Sequence, residues 1–342
     1  MNDMTPVTTK PKDWETDQEV RWCPGCGDYA ILKAVQRTMP EIGARPENTV
    51  FVSGIGCSSR FPYYMETYGF HTIHGRAPAV ATGIKLANPE LDVWIITGDG
   101  DALSIGGNHT MHLLRRNLNC QVLLFNNEIY GLTKGQYSPT SRIGTRSPST
   151  PLGSVDRPAN PCAFALGSGA RFVARGIDVN KNLPAVLKAA HAHNGAAFVE
   201  IFQNCIVYND DVFAPFTEKA NAGNQLWVDH GKPLTFAGET RGLALDVDRL
   251  VLKVVDVVGG DWQAAGVLVH DRTNCGLAHL LVEMPFGAFP MALGVLYDDP
   301  APTFDSAVIA QNATASQGKQ PDLQKLLSQG QTWQVEKEPR VE

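Results

Sequence analysis

The chain has no run of eighteen apolar residues, and its first twenty residues carry charge and proline without an apolar core. The first absence argues against a membrane-spanning helix and the second against a secretory leader, so a cytoplasmic protein is expected. Charge of one sign is nowhere concentrated: 29 Lys and Arg stand against 35 Asp and Glu, for a net −6 spread along the chain. That leaves neither a nucleic-acid footprint nor a polybasic membrane patch. Internal repeats and low-complexity tracts are also missing. Seven cysteines are an odd number that cannot all pair internally, and in a reducing compartment they do not form a disulfide framework. What remains, at 342 residues, is enough chain for one large α/β domain with an appendage.

The most informative stretch runs from Val93 to Gln136. Apolar runs at Val93–Ile96 and Gln121–Phe125 flank a Gly98-Asp99-Gly100 turn and a helix-period segment from about Ser104 to Arg116, which together predict a βαβ unit. Parallel strands joined by a right-handed crossover bring their C-terminal ends side by side. Asp99 just past the first strand and Asn127 just past the second would then converge at the edge where α/β sheets bind ligands. Ile129 adds a backbone carbonyl, and the glycines flanking Asp99 allow close backbone approach to an anion. A bare Gly-Asp-Gly is more often a plain turn. Paired with Asn126-Asn127 about 26 residues later, it resembles the diphosphate-binding signature of thiamine diphosphate enzymes, which implies that Asp99, Asn127 and the Ile129 carbonyl hold Mg2+.

A second stretch, Cys23-Pro-Gly-Cys26, is a C-x-x-C turn of the kind used by zinc, iron–sulfur clusters and redox pairs alike. Helical spacing follows at Tyr29–Thr38, then a buried strand at Val50–Ser53 ending in a glycine-rich turn with Cys57. Cys205 lies just past a strand at Ala197–Phe202. Two of these four cysteines thus follow strand ends, and a common meeting point is geometrically reasonable.

The segments CPGCGD, GIGCSSR, HGRAPAVATGIKLANP, GDGDALSIGGNH, NNEIYGLTKGQ and NCIVYN resemble the β subunit of 2-oxoacid:ferredoxin oxidoreductases over roughly residues 20 to 235. The resemblance implies a mostly parallel α/β sheet with flanking helices of the thiamine-diphosphate-binding (diphosphate domain) type, with a C-terminal extension. It implies one [4Fe–4S] cluster on Cys23, Cys26, Cys57 and Cys205, although Asn204 stands where many relatives have proline. Residues expected to border the cofactor are Gly56, Ser58, His74, Gly98, Asp99, Gly100, Asp101, Asn127, Ile129, Gly131, Leu132 and Thr133. The implied reaction is oxidative decarboxylation of a 2-oxoacid with coenzyme A to acyl-CoA, CO2 and reduced ferredoxin. I-Y-G-L-T-K-G-Q and the S-P-T-S run favour 2-oxoglutarate. Arg60 is expected to receive that substrate's distal carboxylate beside an apolar Leu132 wall, the alternative being a surface arginine or one paired with Glu66. With one diphosphate signature, the chain calls for a larger α subunit to supply the glutamate that activates the aminopyrimidine ring, in an α2β2 hetero-oligomer. No C-x-x-C-x-x-C-x-x-x-C-P run is present, so a single cluster is expected.

The remaining candidates have plainer readings. Cys120, Cys162 and Cys275 read as buried small hydrophobes, and His109 with His112, one turn apart at a spacing that would suit a metal, as a surface or half-buried helix face. His74 precedes a glycine turn at the expected ligand edge, where the helix Ala77–Leu86 would present its N-terminal amides. Tyr137–Ser154 is a Ser/Thr/Pro/Gly-rich loop that either closes over the site, meets a partner or is a solvated connector. Helix-like packing at Cys162–Gly169, a strand at Arg171–Ala174 and a helix at Leu183–His193 lead to the Ala197 strand. The chain divides into a polar segment 1–20, a cofactor-binding domain 21–204, and a C-terminal region 205–342 ending in a polar tail from Gln311. Two alternatives stand: a non-redox thiamine diphosphate decarboxylase or carboligase subunit with zinc on its cysteines, and a non-catalytic cluster-bearing scaffold.

Overall fold

The computed structural model describes residues 9–318, 320–333 and 335; the start of the 1–20 segment and the end of the tail lie outside them. Its centre is an eight-stranded sheet built from β1 (Thr49–Ser53), β2 (Tyr68–His71), β3 (Asp92–Gly98) and β4 (Cys120–Asn126), then β7 (Phe172–Ile177) and β8 (Ala196–Phe202), after the short hairpin β5 (Ile129–Tyr130) and β6 (Gln136–Tyr137). The sheet is completed by β9 (Gln225–Val228) and β13 (Met291–Asp298), and its order is β2-β1-β3-β4-β8-β7-β13-β9. The six strands from β2 to β7 are parallel, while β13 runs antiparallel to β7 with β9 parallel to it.

Both faces of the parallel block are covered, which is why its strands read as unbroken apolar runs. Alternate residues serve opposite cores: Val50, Val52, Val122 and Leu124 pack with helices α2 (Ala77–Ala87), α4 (Gly107–Arg116), α5 (Pro161–Gly167) and α8 (Cys275–Val282). Phe51, Trp94, Leu123 and Phe125 pack on the other face with α1 (Asp28–Glu41) and α6 (Leu183–Ala192). Helix α1 buries the stripe Ile31, Leu32, Val35 and Met39, and Gly43, at φ +70°, turns the chain out of it.

Two expectations change here. The expected helix from Ser104 to Arg116 is two helices, α3 (Asp99–Leu103) and α4, interrupted at Ser104–Gly106. The break exists because Gly106 packs backbone to backbone on Gly75, where an added Cβ would lie 2.4 Å from the Gly106 Cα. The boundary drawn at 204 is also crossed: β9 and β13, from the region set apart as C-terminal, are strands of the main sheet. Between them lie α7 (Ala214–Thr217) and a three-stranded sheet of β10 (Thr235–Phe236), β11 (Arg241–Asp246) and β12 (Val251–Asp256). The tail begins within α9 (Phe304–Ser316) and continues into α10 (Leu323–Ser328).

One ion pair sits inside this sheet. Arg175 on β7 and Glu200 on β8 are direct register partners, with Arg175 Nε 2.7 Å from Glu200 Oε2 and both side chains buried. Glu200 also accepts from Asn126 Nδ2 at 2.8 Å and from the Cys162 thiol at 3.2 Å. Removing one partner strands the other charge in low dielectric, so Arg175→Met should lower stability by about 3–5 kcal/mol. Urea unfolding checks this, and a loss within the ~1 kcal/mol typical of exposed pairs would show that the pair is not insulated from solvent.

Candidate active site

Four adjacent strands end at one edge and deliver the site. The chain leaves β1 at Gly54–Cys57, β3 at Asp99, β4 at Asn127 and β8 at Gln203–Cys205, and the order changes direction between β1 and β3. This is a topological switch point, where open α/β sheets bind ligands. A cavity of about 450 Å3 opens there, within the usual ligand-site range of roughly 300–1,000 Å3. Gly56, Ser58, His74, Gly98, Asp99, Gly100 and Asp101 border it from one side. Asn127, Ile129, Gly131, Leu132 and Thr133 border it from the other.

Asp99 is 2% exposed and accepts from the hydroxyls of Ser138 and Thr140, each at 2.5 Å. Burial pushes its carboxyl up to about 6, against the pull of those two hydroxyls. Both partners are neutral, so the carboxylate is desolvated without a compensating cation, an environment a divalent ion would satisfy. Across the cavity, Glu128 adopts φ +54°, a strained choice for a non-glycine residue. It is held by its N–H donating to Asn126 Oδ1 at 3.2 Å and by its carbonyl accepting from Ser141. This reversal lets Asn127 and Ile129 both face the cavity. The start of the Tyr137–Ser154 loop therefore folds onto the Asn126–Ile129 turn through Ser138, Thr140 and Ser141, all buried, rather than standing off as a solvated connector.

Two expected contacts have other roles. Asp101 borders the cavity, but its carboxylate accepts from Ile55 N at 3.1 Å, Gly75 N at 2.7 Å and Thr97 Oγ1 at 2.8 Å. It ties the loops after β1 and β2 to the end of β3, and Gly54 must be glycine because a Cβ there would lie 1.8 Å from Asp101 Oδ2. Gly100 likewise makes room for a side chain: its added Cβ would sit 2.1 Å from the Tyr130 ring, whose hydroxyl donates to the Gly100 carbonyl at 3.3 Å.

Beside this cavity lies a second, of about 270 Å3, bordered by Cys23, Cys26, Cys57 and Cys205 together with Arg60. The two share Cys57, Asn127, Gly131, Leu132 and Gln203 as a common wall. A Cβ on Gly131 would lie 3.5 Å from the sulfurs of both Cys57 and Cys205, filling the space between them. Burial, then the charge of Asp28, push the Cys26 thiol well up and the Cys57 thiol to about 12. Asp28 itself is 1% exposed with both carboxylate oxygens unpartnered. Among the described residues, no three His, Cys, Asp or Glu side chains are grouped closely enough for a single metal ion.

Arg60 faces this second cavity and not the first; its Nε donates to the Tyr64 hydroxyl at 3.0 Å instead of pairing with Glu66. Leu132 lines both. Cys120 and Cys162 are buried as expected, but Cys275 is exposed at the start of α8. His112 is exposed and His109 partly so. Sequence reasoning missed Ser138, Thr140, Tyr130 and Gln203; of these only the Ser/Thr density after Gln136 offered a signal.

A mostly parallel sheet with a buried acid and an Asn turn at its switch point is the layout of a thiamine-diphosphate-binding chain, and the family model "Thiamine pyrophosphate enzyme, C-terminal TPP binding domain" matches residues 54–201. The 2-oxoglutarate oxidoreductase subunit KorB of Mycobacterium tuberculosis is 48% identical, over 97% of this chain and 91% of that one. Subunit beta of 2-oxoacid:ferredoxin oxidoreductase 1 from Aeropyrum pernix is 50% identical over 57% of this chain and 62% of its own length. A solved 2-oxoglutarate:ferredoxin oxidoreductase from Magnetococcus marinus, with 2-oxoglutarate, coenzyme A and succinyl-CoA bound, is 34% identical with a TM-score of 0.76, covering 97% of this chain and 98% of that one. The chain belongs to the family of 2-oxoacid:ferredoxin oxidoreductase β subunits.

The packing of Gly100 against Tyr130 generates a test within the fold itself. Gly100→Ala should cost about 1–3 kcal/mol by overpacking, and Tyr130→Ala should relieve it. A double-mutant cycle by thermal unfolding checks the coupling; simple additivity would show that the ring is not the obstacle.

Proposed function

We propose that this chain is the electron-transferring β subunit of a 2-oxoglutarate:ferredoxin oxidoreductase, converting the 2-oxoacid and coenzyme A to acyl-CoA and CO2 with reduction of ferredoxin. The observation that carries the reading is the pair of cavities separated by one shared wall, one fitted for a diphosphate and its metal, the other lined by four cysteines. Bound there, thiamine diphosphate would supply the electron sink for loss of CO2 and the cluster a one-electron exit.

Asp99, the Asn127 side chain and the Ile129 carbonyl would hold Mg2+, an all-oxygen set suited to a hard cation. Cys23, Cys26, Cys57 and Cys205 would hold one [4Fe–4S] cluster. Their arrangement around a void, rather than about a point, favours a cluster over the zinc alternative. Ile105, Phe125 and Tyr130 give the first cavity apolar walls, and exposed His74 stands at its border. No glutamate borders that cavity among the described residues, which supports an α subunit supplying the acid that activates the pyrimidine, in an α2β2 assembly. The 2-oxoglutarate, coenzyme A and succinyl-CoA bound in the Magnetococcus marinus enzyme support the substrate pair. A substrate extended past Leu132 would meet Arg60 on the far side of the shared wall, where a planar guanidinium can receive a distal carboxylate.

Anaerobically purified complex with its partner subunit should reduce a viologen when given 2-oxoglutarate and coenzyme A. Cys205→Ser should lose iron and that activity, whereas Cys120→Ser and Cys162→Ser should keep the cluster. Iron retained in Cys205→Ser, or lost equally from all three, would contradict the ligand set, and a cluster-bearing complex without turnover would favour the scaffold reading.

Arg60→Ala should lower kcat/KM for 2-oxoglutarate about ten- to a hundredfold, from the roughly 1.5–3 kcal/mol of a hydrogen bond to a charged group. Pyruvate lacks the second carboxylate and should lose much less. Equal losses for the two substrates would remove Arg60 from substrate recognition.

A further inference from the structure

Gln203 follows β8 directly, in the wall between the two cavities, and is 1% exposed. Its backbone N–H donates to the Asn126 carbonyl at 2.8 Å, which fixes its place at the end of the sheet. Its side chain spends every polar group. Oε1 accepts from Asn127 Nδ2 at 2.9 Å, and Nε2 donates to Cys26 Sγ at 3.3 Å and to the Asn204 carbonyl. Rotating the amide by half a turn would set its oxygen against a carbonyl oxygen and a sulfur, so this orientation is the one its surroundings allow.

We propose that Gln203 is a positioning residue joining the two halves of the site: its carbonyl orients the amide of Asn127 toward the cation, and its N–H raises the reduction potential of the cluster through Cys26. The inference rests on the cluster and metal assignments made above and extends them to a residue that is not a ligand of either group. With Nδ2 held by Gln203 and Oδ1 accepting from the Ile129 N–H at 3.2 Å, the Asn127 amide is fixed in one orientation, and the second lone pair of Oδ1 is left for a cation. At the other end, one-electron reduction adds negative charge that spreads onto the thiolate sulfurs, and a donor aimed at one of them stabilises the reduced state more than the oxidised one. No other side-chain hydrogen bond reaches the four sulfurs among the described residues. The two bonds also lie in series through a single amide, so a cation that polarises Asn127 strengthens the donor aimed at sulfur.

The test uses the complex with its partner subunit, purified anaerobically. Gln203→Met keeps similar length and bulk and removes both the donor and the acceptor. Redox titration followed by electron paramagnetic resonance should show the one-electron reduction equilibrium of the cluster weakened by about tenfold, equivalent to ~59 mV toward negative potential. The magnesium-dependent dissociation constant for thiamine diphosphate should rise severalfold in the same protein. A filler role would leave the potential where it is, and an unchanged potential in Gln203→Met overturns the proposal. If that variant loses its cluster, Gln203→Leu takes its place. Loss from both would also overturn it, because a bond to one of four thiolates tunes a cluster but does not hold it. Wild-type complex without iron would instead sink the function proposed above, and this inference with it.

Discussion

Pairing of Gly98 with Phe125, and of Asn126 with Phe202, sets the ends of three neighbouring parallel strands level. Because parallel strands share one direction, everything that follows them emerges on the same side of the sheet. Asp99, Asn127 and Gln203 are therefore neighbours by register, however far apart they lie in sequence. A slip of one residue in any of these pairings would move a site residue along the edge and turn its strand's apolar side chains to the wrong core. Two hydrophobic cores, one on each face, oppose such slips.

The level edge creates a difficulty that the polar side chains resolve. Strand ends that leave the sheet carry backbone groups with no ladder partner, and those that are buried need one. Asp101 answers for the backbone of the loops after β1 and β2, the Gln203 N–H for the Asn126 carbonyl, and Glu200 for the Asn126 side-chain amide. Asn126 Oδ1 lies 3.0 Å from the Thr140 hydroxyl, whose single proton can go either to it or to Asp99. The buried Arg175–Glu200 pair thus leads, by way of Asn126, to the hydroxyl beside the candidate metal ligand. Partial satisfaction of such a network would be worse than an apolar core, so these residues depend on one another's presence.

Much of this was legible in sequence where a motif is local. The runs V-W-I-I and V-L-L-F mark buried parallel strands because both faces are covered, and Asn126-Asn127 marks the turn by its spacing from Gly98-Asp99-Gly100. The turn's neighbours are harder. Ser138 and Thr140 sit in a loop whose composition reads equally as solvent-facing, and only the contact with Asp99 tells the two apart. The interruption of helical structure at Ser104–Gly106 depends on Gly75, thirty-one residues away, so helix periodicity alone joins what packing separates. The place of β9 and β13 beside β7 is a long-range pairing with no signature in either strand. Gln203 has no spacing pattern at all, and Arg175 and Glu200 look like isolated charges in apolar runs until register sets them opposite each other.

The shared wall between the cavities carries the functional argument furthest. Gly131 is where the two spaces come closest, with the sulfurs of Cys57 and Cys205 on one side and the Asn127–Ile129 turn just before it in the chain. A side chain there would occupy the cysteine cavity in ordinary van der Waals contact with both sulfurs, strain-free but in the volume the proposed cluster would need. Backbone conformation does not call for glycine at this point, since Gly131 is not among the residues with positive φ. With thiamine diphosphate and a cluster bound as proposed, the shared wall of Cys57, Asn127, Gly131, Leu132 and Gln203 would be what separates a decarboxylating cofactor from an electron acceptor.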